Sequence, residues 1–253
     1  MKVDVVVDVG NTRIKWGRCG VEGITESVAL PAEDPQSWQK QIEKWHIAAP
    51  THWAICGVHP SRRDQLVDWL KGRGDVVYVF DSYEQLPIQV RVPIPNAVGI
   101  DRLLNAVAAK IGRATRCDLC IIIDAGTAVT VDVLDEGGAF IGGAIYPGLH
   151  LMAQALHDHT ALLPLTDIRE PTPTLPGDDT RSAIRAGVYW AVAGGIKALI
   201  QQLGVFRKSH RHAEVLITGG DAELLLPVLD PAVGHWPDMT LEGLRIAAEE
   251  KQP

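Results

Sequence analysis

Four cysteines, Cys19, Cys56, Cys117 and Cys120, are too few to staple a chain of 253 residues. Their scarcity excludes a disulfide scaffold and fits a reducing, cytoplasmic setting. Positive charge is also in deficit: 24 Lys and Arg against 31 Asp and Glu leave a formal net charge of -7. An acidic surface repels phosphate backbones, so no nucleic-acid partner is expected. A small anionic substrate stays open, because local positive groups decide its binding. No apolar run approaches the roughly 18 residues of a membrane span, so no membrane partner is expected. Met1 and Lys2 lead into valines that Asp4 and Asp8 interrupt, and no signal-peptide apolar region forms. What is present is 46% hydrophobic, enough for one large domain or two mid-sized ones with cores of their own. Mean hydropathy is +0.05, as in soluble globular proteins.

The first half reads β-β-β-α-β-α-β. An apolar strand turns at Gly10-Asn11-Thr12 into "RIKWGRC", and "ITESVAL" follows. "DPQSWQKQIEKWH" has helical spacing of Trp38, Ile42 and Trp45 with Asp34 as cap, "HWAICGV" is a buried strand, "PSRRDQLVDWLKG" a helix and "DVVYVF" a strand. A Pro-rich loop then leads into a helix beginning near Gly99. The second half restarts with three strands in "DLCIIIDAGTAVTVDVLD" and "GAFIGGAIYPG". "LHLMAQALHDHTALL" is helical, residues 164–177 are the most linker-like stretch, and a long helix starts at "DTRSAIRAG". A strand "EVLITGG", a helix "DAELLLPVL" and a C-terminal helix around "TLEGLRIAAEE" complete the chain.

The two halves share a plan. "VDVVVDVGNTRIKWGRC" and "LCIIIDAGTAVTVDVLD" each run apolar strand, Asp, small residue, Gly, Thr, strand. Far apart in the chain, they suggest a duplicated domain rather than a short repeat. Two facing halves would leave a ligand cleft. Gly10 lets a phosphate approach the main chain. The amides of Asn11 and Thr12 and the Thr12 hydroxyl can donate to phosphate oxygens. Lys15 is a point charge suited to phosphate. Asp8 can orient Mg²⁺ through its waters. Asp124, Gly126 and Thr127 offer the same chemistry a second time. Either turn alone reads equally well as a plain hairpin; two in corresponding places favour phosphate binding. Gly219 and Gly220, between a strand and a helix, suit close backbone approach to a nucleotide. Asp101 and Arg102 open a helix, whose N-terminus favours an anion, and Arg102 is a bidentate donor matched to a carboxylate.

Taken in order, "DVGNTRIKWG", "GIDRLLNAVAA", "DAGTAVTVDV", "GGAIYPGLHLM" and "LITGGDAELL" resemble type III pantothenate kinases along nearly the whole chain. The resemblance implies the acetate and sugar kinase, heat-shock chaperone and actin superfamily. Its fold is α/β, two duplicated ribonuclease H-like (actin-like ATPase) domains around a nucleotide cleft, expected at 1–115 and 116–253. It implies transfer of phosphate from ATP to pantothenate, the first step towards coenzyme A, with Mg²⁺ and K⁺ or NH4⁺, in a homodimer. By the resemblance, Asp8, Val9, Gly10, Asn11, Thr12, Arg13, Ile14 and Lys15 match the ATP-phosphate motif, with Asp8 as the magnesium-orienting carboxylate. Gly99, Ile100, Asp101 and Arg102 match the pantothenate motif, with Asp101 as catalytic base. Asp124 matches the monovalent-cation ligand, Thr127 an ATP contact and Thr180 a threonine that contacts substrate. Without the resemblance, Thr180 reads equally as a helix N-cap.

One position departs from the pattern. Val92 stands nine residues before Asp101, where many members carry a Tyr lining the pantothenate pocket. Valine supplies no hydroxyl, which keeps another small-molecule kinase of the superfamily in play. A non-catalytic nucleotide-binding regulator is the reading from a different class. Against it, none of the motif carboxylates and cations named above is lost. Cys117 and Cys120 have CxxC spacing but no second pair, so buried thiols are expected rather than zinc ligands. The "HDH" and "HRH" triplets ending at His159 and His212 read as solvated polar segments. Trp38, Trp45 and Trp69 read as helix core faces.

Overall fold

A computed structural model describes residues 2–112, 119–169, 172–206 and 213–250. The elements in order are β1 (Val5–Val9), β2 (Arg13–Cys19), β3 (Ile24–Pro31), α1 (Pro35–Lys44), β4 (His52–Gly57), α2 (Pro60–Gly72), β5 (Val76–Phe80) and α3 (Ile100–Gly112). They continue with β6 (Leu119–Ala125), β7 (Ala128–Asp135), β8 (Phe140–Pro147), α4 (Leu149–Asp158), α5 (Thr180–Phe206), β9 (Glu214–Thr218), α6 (Ala222–Leu225), β10 (Gly234–His235) and α7 (Met239–Glu250). The chain gathers into two compact units. Unit 1 comprises Met1–Arg113, Gly138–Phe140 and Asp238–Pro253; unit 2 comprises Ala114–Gly137 and Ile141–Pro237. The expected boundary between residues 115 and 116 lies outside the described residues. The C-terminal stretch from Asp238, expected in the second half, groups with unit 1.

Unit 1 is built on a five-stranded sheet in the order β3-β2-β1-β4-β5. β1 is central, antiparallel to β2 and parallel to β4. Its run of β-branched valines suits a strand covered on both faces. On one face Val5, Val7, Val9, Ile14, Trp16, Trp53 and Ile55 pack with Trp38, Ile42, Leu66 and Leu70 of α1 and α2. Trp16 and Trp53 meet edge to face with centroids 5.0 Å apart, a favourable aromatic geometry. α1 starts where expected: Pro35 opens it, and the Asp34 carboxylate accepts the Gln36 N–H at 3.1 Å and the Ser37 hydroxyl. α3 and α7 pack together. The Thr240 hydroxyl donates to Asn105 Oδ1 at 2.8 Å. A Cβ on Gly243 would lie 2.0 Å from the Leu104 carbonyl oxygen, so only glycine permits this approach.

Unit 2 repeats the topology. Its sheet runs β8-β7-β6-β9-β10, with β6 central, antiparallel to β7 and parallel to β9. Strand for strand this is the order found in unit 1, which bears out the duplication read from the two Asp-Gly turns. Its core joins Ile121, Ile123, Val129 and Val131 to Leu149, Ile184, Val188, Tyr189, Val192 and Ile196. α5 is a candidate membrane span by length and composition, with a mean hydropathy of 1.3, which the sequence reading did not anticipate. Here its apolar stripe, including the fully buried Tyr189, lies in the unit 2 core. α4 stops at Asp158, short of the expected Leu163. α6 is four residues long because a 3-10 turn carrying Pro227 follows it. β10 was not expected at all. The described part of 164–177 contains neither helix nor strand. Cys120 is buried and not in a disulfide, and Cys117, His210 and His212 lie outside the described residues.

Candidate active site

The first candidate turn closes unit 1's central hairpin. The Gly10 N–H donates to the Arg13 carbonyl at 3.0 Å, and a Cβ on Gly10 would come 3.1 Å from that oxygen. Gly10 is not in the left-handed region, so tight packing rather than unusual backbone angles selects glycine there. Asp8 is the next-to-last residue of β1, half-buried. The registers put it opposite Lys15 on β2 and opposite Cys56 on β4. Directly paired residues share a sheet face, so Lys15, Asp8 and Cys56 form a row on the face opposite the tryptophan core. The Cys56 thiol donates to Asp8 Oδ1 at 3.6 Å. Lys15 Nζ pairs with Asp238 Oδ1 at 2.9 Å. From α2, Arg62 donates to the Asn11 carbonyl and pairs with Glu33 at 2.7 Å, pinning the loop from outside.

The second constellation is the start of α3. Asp101 Oδ1 accepts the Arg102 N–H at 2.8 Å. A Cβ on Gly99 would fall 2.6 Å from that same oxygen, so the glycine leaves room for the carboxylate to lie back along the chain. Burial pushes the Asp101 carboxyl above its ordinary range, and it outweighs the opposing Arg102 N–H and guanidinium. Arg102 lies over the Phe140 ring, 5.5 Å from its centroid. Burial chiefly, with Asp8 and Asp101 adding to it, drives the Cys56 thiol well above its ordinary value. The thiol is therefore neutral and feels both carboxylates. Val92 is half-buried, next to the short pairing of Val90 with Phe140.

Unit 2 carries the counterpart turn. Asp124 is next to last in β6, opposite Thr130 on β7 and Thr218 on β9. The Gly126 N–H donates to the Ala128 carbonyl at 3.1 Å, closing a loop one residue shorter than that at Gly10. Two further glycines buttress this turn. A Cβ on Gly148 would lie 2.0 Å from the Gly126 carbonyl oxygen, and one on Gly219 would lie 2.3 Å from that of Ala125. The Asp221 N–H donates to the same Ala125 oxygen at 2.9 Å. Gly219 has φ +96°, in the left-handed region that glycine tolerates, whereas Gly220 has open space around it. Thr180 is exposed and is the first residue of α5. It is not the cap: Asp179 Oδ1 accepts the Ser182 N–H at 2.8 Å and the Asp179 carbonyl accepts the Ala183 N–H at 2.9 Å. Thr180 also lines an open groove of about 820 Å³ between α4 and α5, walled by Met152, Leu156, Leu163 and Ile184.

Unit 1 thus contains Asp8 to Lys15, Val92 and Gly99 to Arg102; unit 2 contains Asp124, Thr127, Thr180, Gly219 and Gly220. Sequence reading missed Cys56, Arg62, Gly148 and Asp238. Only Gly148 lay within a quoted motif; the others depend on strand register and on a helix from the far end of the chain. Among the described residues no three His, Cys, Asp or Glu side chains gather as a metal cage. Single half-buried carboxylates at strand ends instead fit Mg²⁺ that keeps its waters. Asp124 between two threonines offers the hard oxygens that a monovalent cation accepts.

A duplicated β3-β2-β1-β4-β5 sheet with an acid-glycine hairpin at each central strand defines the actin-like ATPase fold. The solved activator of 2-hydroxyisocaproyl-CoA dehydratase from Clostridium difficile, with ADPNP bound, shares this fold: TM-score 0.57 at 14% identity, covering 99% of this chain and 97% of that one. The sequence model of the family described as type III pantothenate kinase matches residues 5–202. The type III pantothenate kinase of Akkermansia muciniphila is 34% identical over 96% of this chain and 97% of its own length. That of Synechococcus sp. strain JA-2-3B'a(2-13) is 34% identical over 93% of this chain and 85% of its own. The chain belongs to the type III pantothenate kinase family, whose reaction is the ATP-dependent phosphorylation of pantothenate for coenzyme A synthesis.

Proposed function

We propose that Asp101 is the base of this reaction and that Asp8, Gly10, Asn11, Thr12 and Lys15 receive the ATP phosphates. The observation that carries the reading is the row on one sheet face in which Asp8 stands opposite Lys15 and 3.6 Å from the buried Cys56 thiol, whose neutral form Asp101 also favours. A phosphate-side carboxylate and an acceptor-side carboxylate in one neighbourhood are what in-line phosphoryl transfer needs. Asp101 accepts the proton of the attacking pantothenate hydroxyl; its raised proton affinity suits a base that must hold a proton after transfer. Arg102, steadied on Phe140, pairs with the pantothenate carboxylate. The amides of Asn11 and Thr12 and the Lys15 ammonium take the nucleotide oxygens; in unit 2, Thr127, Gly219 and Gly220 are nucleotide contacts on the same reading. Asp8 would hold Mg²⁺ through its waters, and the ion would supply charge neutralisation at the phosphates; Asp124 would hold K⁺ or NH4⁺. Val92 and Thr180 contact pantothenate. The protein works in the cytoplasm as a homodimer, and the exposed Leu162 and Leu175 are apolar surface that a second copy would cover.

The test is ADP release by the purified protein with ATP and Mg²⁺, with and without pantothenate and with Na⁺, K⁺ or NH4⁺. Wild type and Asp101→Asn run side by side. Pantothenate-dependent turnover that the variant loses, at unchanged ATP binding, is the expected outcome. A fully active Asp101→Asn would remove the base assignment. Turnover indifferent to the monovalent cation would remove the one for Asp124.

A further inference from the structure

Asp238 directly precedes α7, and its carboxylate lies 2.9 Å from the Lys15 ammonium, within the same unit. Both side chains are only partly exposed, 29% for Asp238 and 37% for Lys15. The acid is well anchored. Its carbonyl accepts the Glu242 N–H at 2.9 Å in the first turn of α7, and α7 is fixed on α3 through Thr240, Asn105 and Gly243. Lys15 is anchored equally well at its base, on β2 opposite Asp8.

We infer that Asp238 is a positioning residue of the phosphate site: its carboxylate fixes the Lys15 ammonium so that the remaining N–H donors face the nucleotide phosphates. The inference rests on the reading of Lys15 as a phosphate ligand. A lysine side chain has much rotamer freedom to lose when a ligand orders it. An ion pair already formed meets that loss before the nucleotide arrives, which raises affinity by preorganisation. An ammonium carries three donors, so one stays on Asp238 while the others turn to phosphate oxygens. The opposing effect is repulsion between Asp238 and the phosphates. The Lys15 charge and the positive N-terminal end of α7 offset it, so orientation prevails.

The test is calorimetric titration of ADP, and separately of adenosine, into the full-length protein without pantothenate. Wild type, Asp238→Asn, Lys15→Met and the double variant are compared. Asparagine is accepted at a helix start as readily as aspartate, and Asp238→Ser is a second neutral variant that suits the same position. Asp238→Asn is expected to weaken ADP binding roughly three- to tenfold. It should leave adenosine binding unchanged and add nothing on top of Lys15→Met. Unchanged or tighter ADP binding, with Lys15→Met weakened, overturns the inference. So does an equal loss for adenosine, which would mark a general loosening of unit 1. If Lys15→Met binds ADP like wild type, the phosphate reading of Lys15 falls and the inference falls with it.

Discussion

Gly219 and Gly220 are adjacent, and the structure assigns them opposite tolerances. Alanine at 219 meets two obstacles. Its φ of +96° lies where a side chain is strained, costing on the order of 1–2 kcal/mol. Its Cβ would also stand 2.3 Å from the Ala125 oxygen and 2.6 Å from the Ala125 carbonyl carbon. These are backbone atoms of β6, so relief requires moving the strand end, and overpacking of this kind costs about 1–3 kcal/mol. Together roughly 2–5 kcal/mol is expected, a fall in Tm of about 5–15 °C for a chain of this size. At Gly220 a Cβ meets nothing within 4 Å, and Gly220→Ala should change stability by less than about 0.5 kcal/mol. Thermal unfolding of both variants followed by circular dichroism reads the difference. Because Asp124 immediately precedes Ala125, its proposed role as cation ligand predicts that Gly219→Ala also blunts the response to K⁺. Gly220→Ala should instead raise the KM for ATP if that backbone lies against nucleotide. Equal Tm shifts in the two variants would refute the packing argument.

Gly99→Ala separates activity from stability in the other direction. Its Cβ would displace Asp101 Oδ1, 2.6 Å away and the acceptor of the Arg102 N–H, so turnover should fall at least several-fold while the unfolding midpoint holds. Asp101→Asn should lower turnover by roughly 10²–10⁴ without destabilising the fold. A carboxyl whose folded pKa is raised gains stability from protonation, and that gain is lost as pH rises through the folded value. Above it the ionised Asp101 detracts from stability, so the variant should melt at the same or a higher temperature at neutral pH, and a lower one would sink this reading. Turnover of wild type should rise with pH through a pKa above the usual carboxylate range; an acid limb at the ordinary Asp value would contradict the buried setting. Arg62→Ala frees the Asn11 carbonyl from its clamp, and should raise the KM for ATP a few-fold with the KM for pantothenate unchanged in initial-rate assays.

Local chemistry dictated most of the architecture, which is why the sequence reveals it. A valine run ending in Asp-x-Gly reads as a buried strand with a polar turn, because β-branched burial and hairpin closure are both short-range. The pattern recurs at Asp124, and the duplicated sheets follow from that recurrence. What stays hidden is set by register and by distant chain. Cys56 sits inside "HWAICGV" with nothing to distinguish it from a core residue; only the parallel pairing of β1 with β4 brings its thiol to Asp8. Asp238 lies 223 positions beyond Lys15, and it reaches that lysine because α7 returns to unit 1. Gly10 and Gly219 look alike as letters, yet Gly10 is chosen for a tight carbonyl alone and Gly219 for a tighter one together with a left-handed φ. Thr180 shows the converse: a residue well suited to capping stands one place inside the helix, because Asp179 accepts the Ser182 N–H and a short carboxylate serves that role at least as well. Motif residues are legible where their function uses their own backbone. They are not where it uses the neighbours that the fold supplies, and for this protein those neighbours, Cys56, Arg62 and Asp238, surround the Gly10 hairpin.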